Sequence, residues 1–282
     1  MGSYLRPASL DAALAALRAG PRTLLAGGTD IYPARVGRWA DDDILDVSGI
    51  ADLRAITVAD GVCRIPALAT WTDLIRADLP ARFDGLKAAA RAVGGVQIQN
   101  RGTICGNVCN ASPAADGLPN LIALDARVEL ASATARREIP IGEFVVGNRR
   151  TIRRPDEIVT AILVPTPGAE GGPEARAVFL KLGSRAYLVI SIAMVAAVAE
   201  FEADGRITAG RIVVGACSEV PQRLPAVEER LLGRWPGPDL AGEVGAADLA
   251  GLAPIDDVRA TAEYRRAAAL VLVRRAIAGL AP

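Results

Sequence analysis

The sequence predicts an α+β protein in two parts: alternating short helices and strands first, then a small antiparallel sheet with helices. Three observations carry this reading. Up to residue 165, short apolar runs of helical and strand period alternate, punctuated by Gly, Pro, Asn and Asp. Residues 166–175, TPGAEGGPEA, are rich in Gly and Pro and mark a boundary. Beyond them two long strand candidates meet at Asp204-Gly205, and the pattern from Arg223 onward is helical.

Each element has a local cause. Ser9 precedes Leu10, Leu14 and Leu17, which share one helical face, and Gly20-Pro21 ends that helix. Residues 23–26 read as a short buried strand, Gly27 and Gly28 as a tight turn, 30–36 as a helix of one or two turns stopped by Gly37, and 44–47 as a strand. Asp60-Gly61, between runs 53–58 and 62–67, is a hairpin signal. Thr70 or Thr72 caps a helix running to about Leu79, and a second helix covers 85–93. A helix over 118–126 carries Asp116 at its N-terminal end, 127–133 and 137–141 form another hairpin, and Pro165 ends a strand over 157–164. In the second part 177–182, 188–202 and 207–216 are strands, the last two antiparallel. The final helix, 263–278, is expected to turn Tyr264, Ala268, Val271 and Leu272 inward and Arg265, Arg266, Arg274 and Arg275 outward.

Composition narrows the chemistry. A chain of 282 residues, 51% hydrophobic, supplies two or three units with cores of their own. Basic and acidic residues balance at 32 each, so no net field draws nucleic acid or an anionic membrane. The pairs Arg149-Arg150 and Arg153-Arg154 read as solvated loop charge or a docking rim. No apolar run reaches membrane-spanning length, and the N-terminus lacks the charged region of a secretory signal, so a cytoplasmic location is expected. The absence of histidine removes Ser-His-Asp and Cys-His nucleophiles and the commonest zinc ligand, which leaves the chemistry to a cofactor. Cys63, Cys105, Cys109 and Cys217 are too dispersed for an iron–sulfur ligand set and read as small reduced core residues; no metal site is expected.

Residues 93–125, VGGVQIQNRGTICGNVCNASPAADGLPNLIALD, concentrate small, turn-forming and amide-bearing residues. Gly102 and Gly106 let a phosphate approach the main chain, while Thr103, Asn107, Asn110 and Ser112 supply neutral donors. Upstream, LLAGGTDI reads as strand, glycine turn and helix start, a second phosphate cradle; taken alone, it reads equally as an ordinary turn. Two such loops together grip one extended dinucleotide.

The longer stretch resembles the second flavin-binding motif, QIRNxGTIGGNxxNASPAxD, of the FAD subunits of molybdenum hydroxylases, the xanthine dehydrogenase and carbon monoxide dehydrogenase medium-chain family. LLAGGTDI, the opening YLRPASLDAALAAL and the terminal YRR and LVRRAI segments are similar to the same family, so the resemblance covers the whole chain. It implies a two-lobed FAD-binding domain of the PCMH or vanillyl-alcohol-oxidase type over 1–168, with sub-lobes of about 1–52 and 53–168. A domain like the C-terminal one of the CO dehydrogenase flavoprotein follows over 174–282.

The resemblance also implies roles. Leu24, Leu25, Ala26, Gly27, Gly28, Thr29, Asp30 and Ile31 would enclose the FAD pyrophosphate with Thr103, Ile104, Gly106 and Asn107, Thr29 and Asn107 donating side-chain hydrogen bonds. Asn110 follows the family motif, and Val93 would lie near the adenine. Asp116 would contact ribityl or ribose, its other reading being a helix N-cap. Ile158 and Lys181, the latter in FLKLGSR, would touch the isoalloxazine, against ordinary core and a surface lysine as alternatives. Cys105 stands where the family has Gly, so its thiol fits beside the phosphates or points back into the core.

The activity implied is that of an FAD-carrying electron-transfer subunit in a heterotrimer. Electrons pass from [2Fe-2S] clusters of a small subunit through noncovalent FAD to NAD, oxygen or another acceptor. A molybdopterin large subunit selects the substrate, and a dimer of heterotrimers fits the same scheme. Two other readings stay open: a self-sufficient flavoprotein reductase or oxidase on the same fold, and a non-catalytic nucleotide-binding assembly subunit.

Overall fold

Thr23–Leu25 pairs in parallel with Ile44–Asp46, which pairs in parallel with Tyr4–Leu5, giving a three-stranded sheet with the 44–46 strand at its centre. The computed structural model describes residues 2–37, 41–166 and 174–281; most of the Gly/Pro-rich boundary, 167–173, lies outside the described residues. Helix Leu10–Ala19 starts where Ser9 Oγ accepts the Ala12 N–H, and buries Ala13, Leu14 and Leu17 with Leu45, Val47 and Ile50. The helix expected over 30–36 shrinks to a 3₁₀ turn, Pro33–Arg35, because Pro33 has no N–H to continue an α ladder. The strand Tyr4–Leu5 is exposed and too short to show a period.

A five-stranded antiparallel sheet runs in the order Thr57–Ala59, Val62–Pro66, Ile158–Pro165, Arg127–Ala131, Arg136–Pro140. Asp60 and Gly61 both take positive φ, 49° and 72°, which a two-residue hairpin turn requires. The late strand Ile158–Pro165 inserts between the two hairpins, a long-range pairing with no local signal. The first hairpin strand is shorter than expected, since Ala51–Leu53 is a 3₁₀ turn. Thr70 and Asp73 form a reciprocal capping box on Trp71–Arg76, which stops short of Leu79. Helices Asp84–Ala92, Val96–Gln99, Ile104–Asn110 and Gly117–Ala123 follow. Part of the motif read as a loop is therefore helical: packing of buried Ile104, Cys105 and Val108 overrides the weak helix propensity of Gly, Asn and Cys.

The C-terminal sheet is antiparallel in the order Glu174–Leu182, Ala193–Phe201, Ile207–Gly215, Gln222–Arg223. Its strands are apolar on both faces for a physical reason. Ala196, Val198 and Val213 join the core of the N-terminal part, while Val195, Ala197, Ile212 and Val214 pack on helix Ala262–Ala278. The strand expected from 188 begins only at Ala193, after bends that hold Leu188 at φ 52°.

The inward face of the last helix departs from expectation. Tyr264 and Val271 are exposed, and Arg265 is buried with Ala269, Leu272, Ala276 and Ile277. Arg265 is tolerated inside because its guanidinium donates to Ile192 O at 2.6 Å, Ala216 O at 3.2 Å and Asp257 Oδ1 at 2.7 Å. Among the described residues no helix is long and apolar enough to cross a membrane.

Candidate functional site

The first glycine loop touches the second motif backbone to backbone. A Cβ on Gly27 would lie 2.0 Å from Arg101 O, and one on Gly102 would lie 3.4 Å from Thr29 Oγ1. Gly28, at φ 74°, turns the chain after strand Thr23–Leu25. On the other side, Trp71 N donates to Gly102 O at 3.2 Å and Ile104 N to Ala69 O at 3.1 Å, which anchors the start of helix Ile104–Asn110. Thr103 caps that helix, its Oγ1 accepting the Gly106 N–H at 3.0 Å.

Between these loops lies a cavity of about 620 Å³, within the range of small-molecule sites. Leu24, Ala26, Gly27, Gly28, Thr29, Asp30 and Ile31 line it from the first loop, and Val93, Thr103, Gly106, Asn107 and Asn110 from the second motif. Ile158 joins them from the start of its strand. Leu25 and Ile104 are buried and do not line the cavity. The Oδ1 of Asn107 is buried without a hydrogen-bond partner among the described residues, so it is a free acceptor that needs a donor.

Cys105 is buried at the cavity wall, which Cys109 also lines. The Cys105 Sγ lies 3.7 Å from Ile65 O, and burial pushes its thiol well above the ordinary value and that of Cys109 to about 11, so both face the cavity as neutral thiols. The first loop leads into no α-helix of its own among the described residues; the 3₁₀ turn begins only at Pro33.

Asp116 and Lys181 meet outside this lining. Lys181 Nζ lies 2.5 Å from Asp116 Oδ2 and 3.4 Å from Ala92 O, and Ser191 Oγ donates to Asp116 Oδ1 at 2.5 Å. Burial pushes the Asp116 carboxyl above the usual carboxylate value, and Lys181 opposes that rise. Asp116 occupies the N-cap position of Gly117–Ala123 without a side-chain capping bond, which removes the capping alternative. Lys181, with only 13% of its side chain exposed, is likewise not a surface lysine.

Two arginines that read as loop charge belong to the site. Arg149 donates to both carboxylate oxygens of Asp30, at 2.9 and 3.2 Å, and to Asn110 Oδ1 at 3.0 Å. Arg153 lines the cavity with Nη1 fixed by Arg154 O at 2.9 Å and Glu157 O at 2.7 Å. Glu157 is itself held by Arg137 at 2.7 and 2.8 Å. Nothing local in the sequence marks these arginines, because their partners are remote or main-chain.

Residues 1–167 match the FAD binding domain in molybdopterin dehydrogenase, and residues 179–280 the CO dehydrogenase flavoprotein C-terminal domain. The chain belongs to this flavoprotein family. It is 30% identical to the nicotine 6-hydroxylase medium subunit of Paenarthrobacter nicotinovorans, over 97% of this chain and 95% of that one. It is 31% identical to the xanthine dehydrogenase FAD-binding subunit of Escherichia coli O157:H7, over 93% and 90%. Carbon monoxide dehydrogenase from Hydrogenophaga pseudoflava superposes with a TM-score of 0.88 at 28% identity, covering 99% of this chain and 96% of that chain.

The fold is thus that of a CO dehydrogenase medium chain, an FAD-binding domain followed by the flavoprotein C-terminal domain. The chain is an FAD-binding subunit of a molybdenum hydroxylase-family dehydrogenase. Its residues fit the cofactor: glycines where a Cβ would separate the two loops, a free acceptor at Asn107 Oδ1 suited to a sugar hydroxyl, and Arg153 to offset a diphosphate.

Proposed function

We propose that this subunit works in a heterotrimer, taking electrons from the [2Fe-2S] clusters of a small subunit, while a large subunit carries molybdopterin and selects the organic substrate. The electrons leave to NAD, oxygen or another acceptor. Bound flavin supplies chemistry that accepts electrons singly and releases them in pairs. The relatives named as medium subunits or chains support a multi-subunit setting. The chain has only four cysteines, all free and mutually dispersed, so the clusters belong to a partner.

The observation that carries the reading is the convergence of both glycine loops on one cavity beside the unpartnered acceptor Oδ1 of Asn107. On this reading the first loop, from Leu24 to Ile31, and the segment Thr103, Ile104, Gly106 and Asn107 hold the diphosphate, Leu25 and Ile104 through their main chains only. Asn110 completes that wall, Val93 approaches the adenine and Ile158 the ring, while the ribityl and ring contacts implied for Asp116 and Lys181 are not carried over, because the two are paired outside the lining. Residues 1–168 and 174–282 are the corresponding domains. The Lys181–Asp116 pair joins them, because Ala177, Phe179 and Lys181 share the sheet face turned to the N-terminal core.

The test is purification of the native complex. It should be yellow, with FAD and an iron–sulfur subunit in equal amounts to this chain. A yellow chain that turns over a substrate alone supports the self-sufficient oxidase or reductase instead, and a colourless chain that takes up no FAD supports the assembly subunit.

A further inference from the structure

Arg149 bridges parts of the chain that are distant in sequence. Asp30 belongs to the first glycine loop and Asn110 ends the helix of the second motif; both line the cavity, and both are bonded by one guanidinium. The fork reaches the carboxylate with two nitrogens, a planar geometry that lysine cannot reproduce.

The main chain supports the same contact. Arg149 sits at φ 54° in the turn between strands Val145–Gly147 and Arg150–Thr151. Its N–H donates at 2.9 Å to the carbonyl of Ala111, itself at φ 49° at the end of helix Ile104–Asn110. Two non-glycine residues in the left-handed region, bonded to one another, are conformations that persist only where surrounding structure holds them. As a contribution to folding the ion pair is small, since 57% of the Arg149 side chain and 45% of the Asp30 side chain are exposed. Its consequence for the cavity is larger. Between strand Thr23–Leu25 and turn Pro33–Arg35 the first loop has no partner strand, and Asp30 would present a bare carboxylate to a bound dianion.

We infer that Arg149 is a positioning residue that latches the two cofactor loops together and neutralises Asp30, and so sets the rate at which FAD leaves. This rests on the reading that the cavity holds FAD.

The experiment uses the FAD-loaded full chain and follows free-flavin fluorescence after dilution. Arg149→Met should release FAD about tenfold faster, the effect of losing roughly one charge-assisted hydrogen bond. The double variant Arg149→Met with Asp30→Asn should recover part of that loss, because the uncompensated carboxylate is gone; a purely structural role gives no such recovery. The thermal midpoint of the apoprotein should stay near wild type in both. Should Arg149→Met fail to fold, Arg149→Lys keeps the charge without the fork and should still release FAD faster. Release at the wild-type rate, or a double variant no slower than the single one, overturns the latch. A wild-type chain that takes up no FAD overturns the underlying reading instead.

Discussion

Arg153 and Lys181 show how one charge acquires a role from what surrounds it. Arg153 donates one nitrogen to two carbonyls and has no acidic partner among the described residues, so its charge is available to the cavity. Arg153→Met should therefore raise the FAD dissociation constant by about tenfold at low salt, an effect that shrinks as ionic strength rises. Fluorescence titration at two salt concentrations decides it; equal affinity in both proteins would remove Arg153 from the site. Lys181 has instead given its charge to Asp116, and both are nearly inaccessible. Lys181→Met leaves a buried carboxylate alone and should cost about 3–5 kcal/mol in urea unfolding at neutral pH. The pH dependence has a defined sign. A carboxyl raised in the folded state binds its proton more tightly than in the unfolded chain, so its contribution favours folding below the ordinary carboxylate pKa and is lost as pH rises through the raised value. The deficit of Lys181→Met should accordingly be small in acid, where Asp116 is protonated, and grow towards neutrality. A deficit independent of pH would assign it to lost packing.

At the scale of elements, the two glycine loops act as one device because their backbones touch. Gly27 has no room for a Cβ, which would meet Arg101 O at 2.0 Å, and its φ is not in the left-handed region. The constraint is thus closeness, not conformational freedom. Gly27→Ala should push the loops apart and give a chain that elutes without flavin but keeps its far-ultraviolet circular dichroism. Stoichiometric flavin absorbance after gel filtration would show that the contact is not needed. The last helix teaches a related lesson. Its inward stripe, Arg265, Ala269, Leu272, Ala276 and Ile277, has a proper helical spacing, but hydrophobicity alone rotates it towards Tyr264 and Val271. Burial pushes the Asp257 carboxyl up, yet the N–H groups of Arg259 and Ala260 and the Arg265 guanidinium outweigh it and hold the group at about 2. That charge keeps a buried arginine satisfied.

For the whole molecule, the C-terminal sheet is the centre of the packing, with the N-terminal core on one face and the last helix on the other. This explains the near-continuous apolar strands, which alternation between water and core would not allow. The whole chain also predicts how FAD is attached. It has no histidine, and burial lifts the Cys63, Cys109 and Cys217 thiols to about 11 and raises that of Cys105 as well. No nucleophile of the usual kinds is ready to form a flavin link. Acid precipitation should release all the flavin into the supernatant; yellow colour left in the pellet would show a covalent bond.

The sequence by itself determined most of the longer strands, the hairpin at Asp60-Gly61, the cap at Ser9, and the pair of glycine loops that meet at the cavity. These depend on φ preferences, apolar period and side-chain-to-backbone bonds acting over a few residues. Even Lys181 was partly legible, since its parity with Ala177 and Phe179 fixes the sheet face it shares. Only the tertiary structure decided what the charges do. Arg149 meets Asp30 across 119 positions and Lys181 meets Asp116 across 65, and the strand Ile158–Pro165 slots between hairpins made far earlier in the chain. Such contacts follow from how complete elements pack, and a side chain of Arg or Lys looks the same in sequence whether water or a buried carboxylate will receive it.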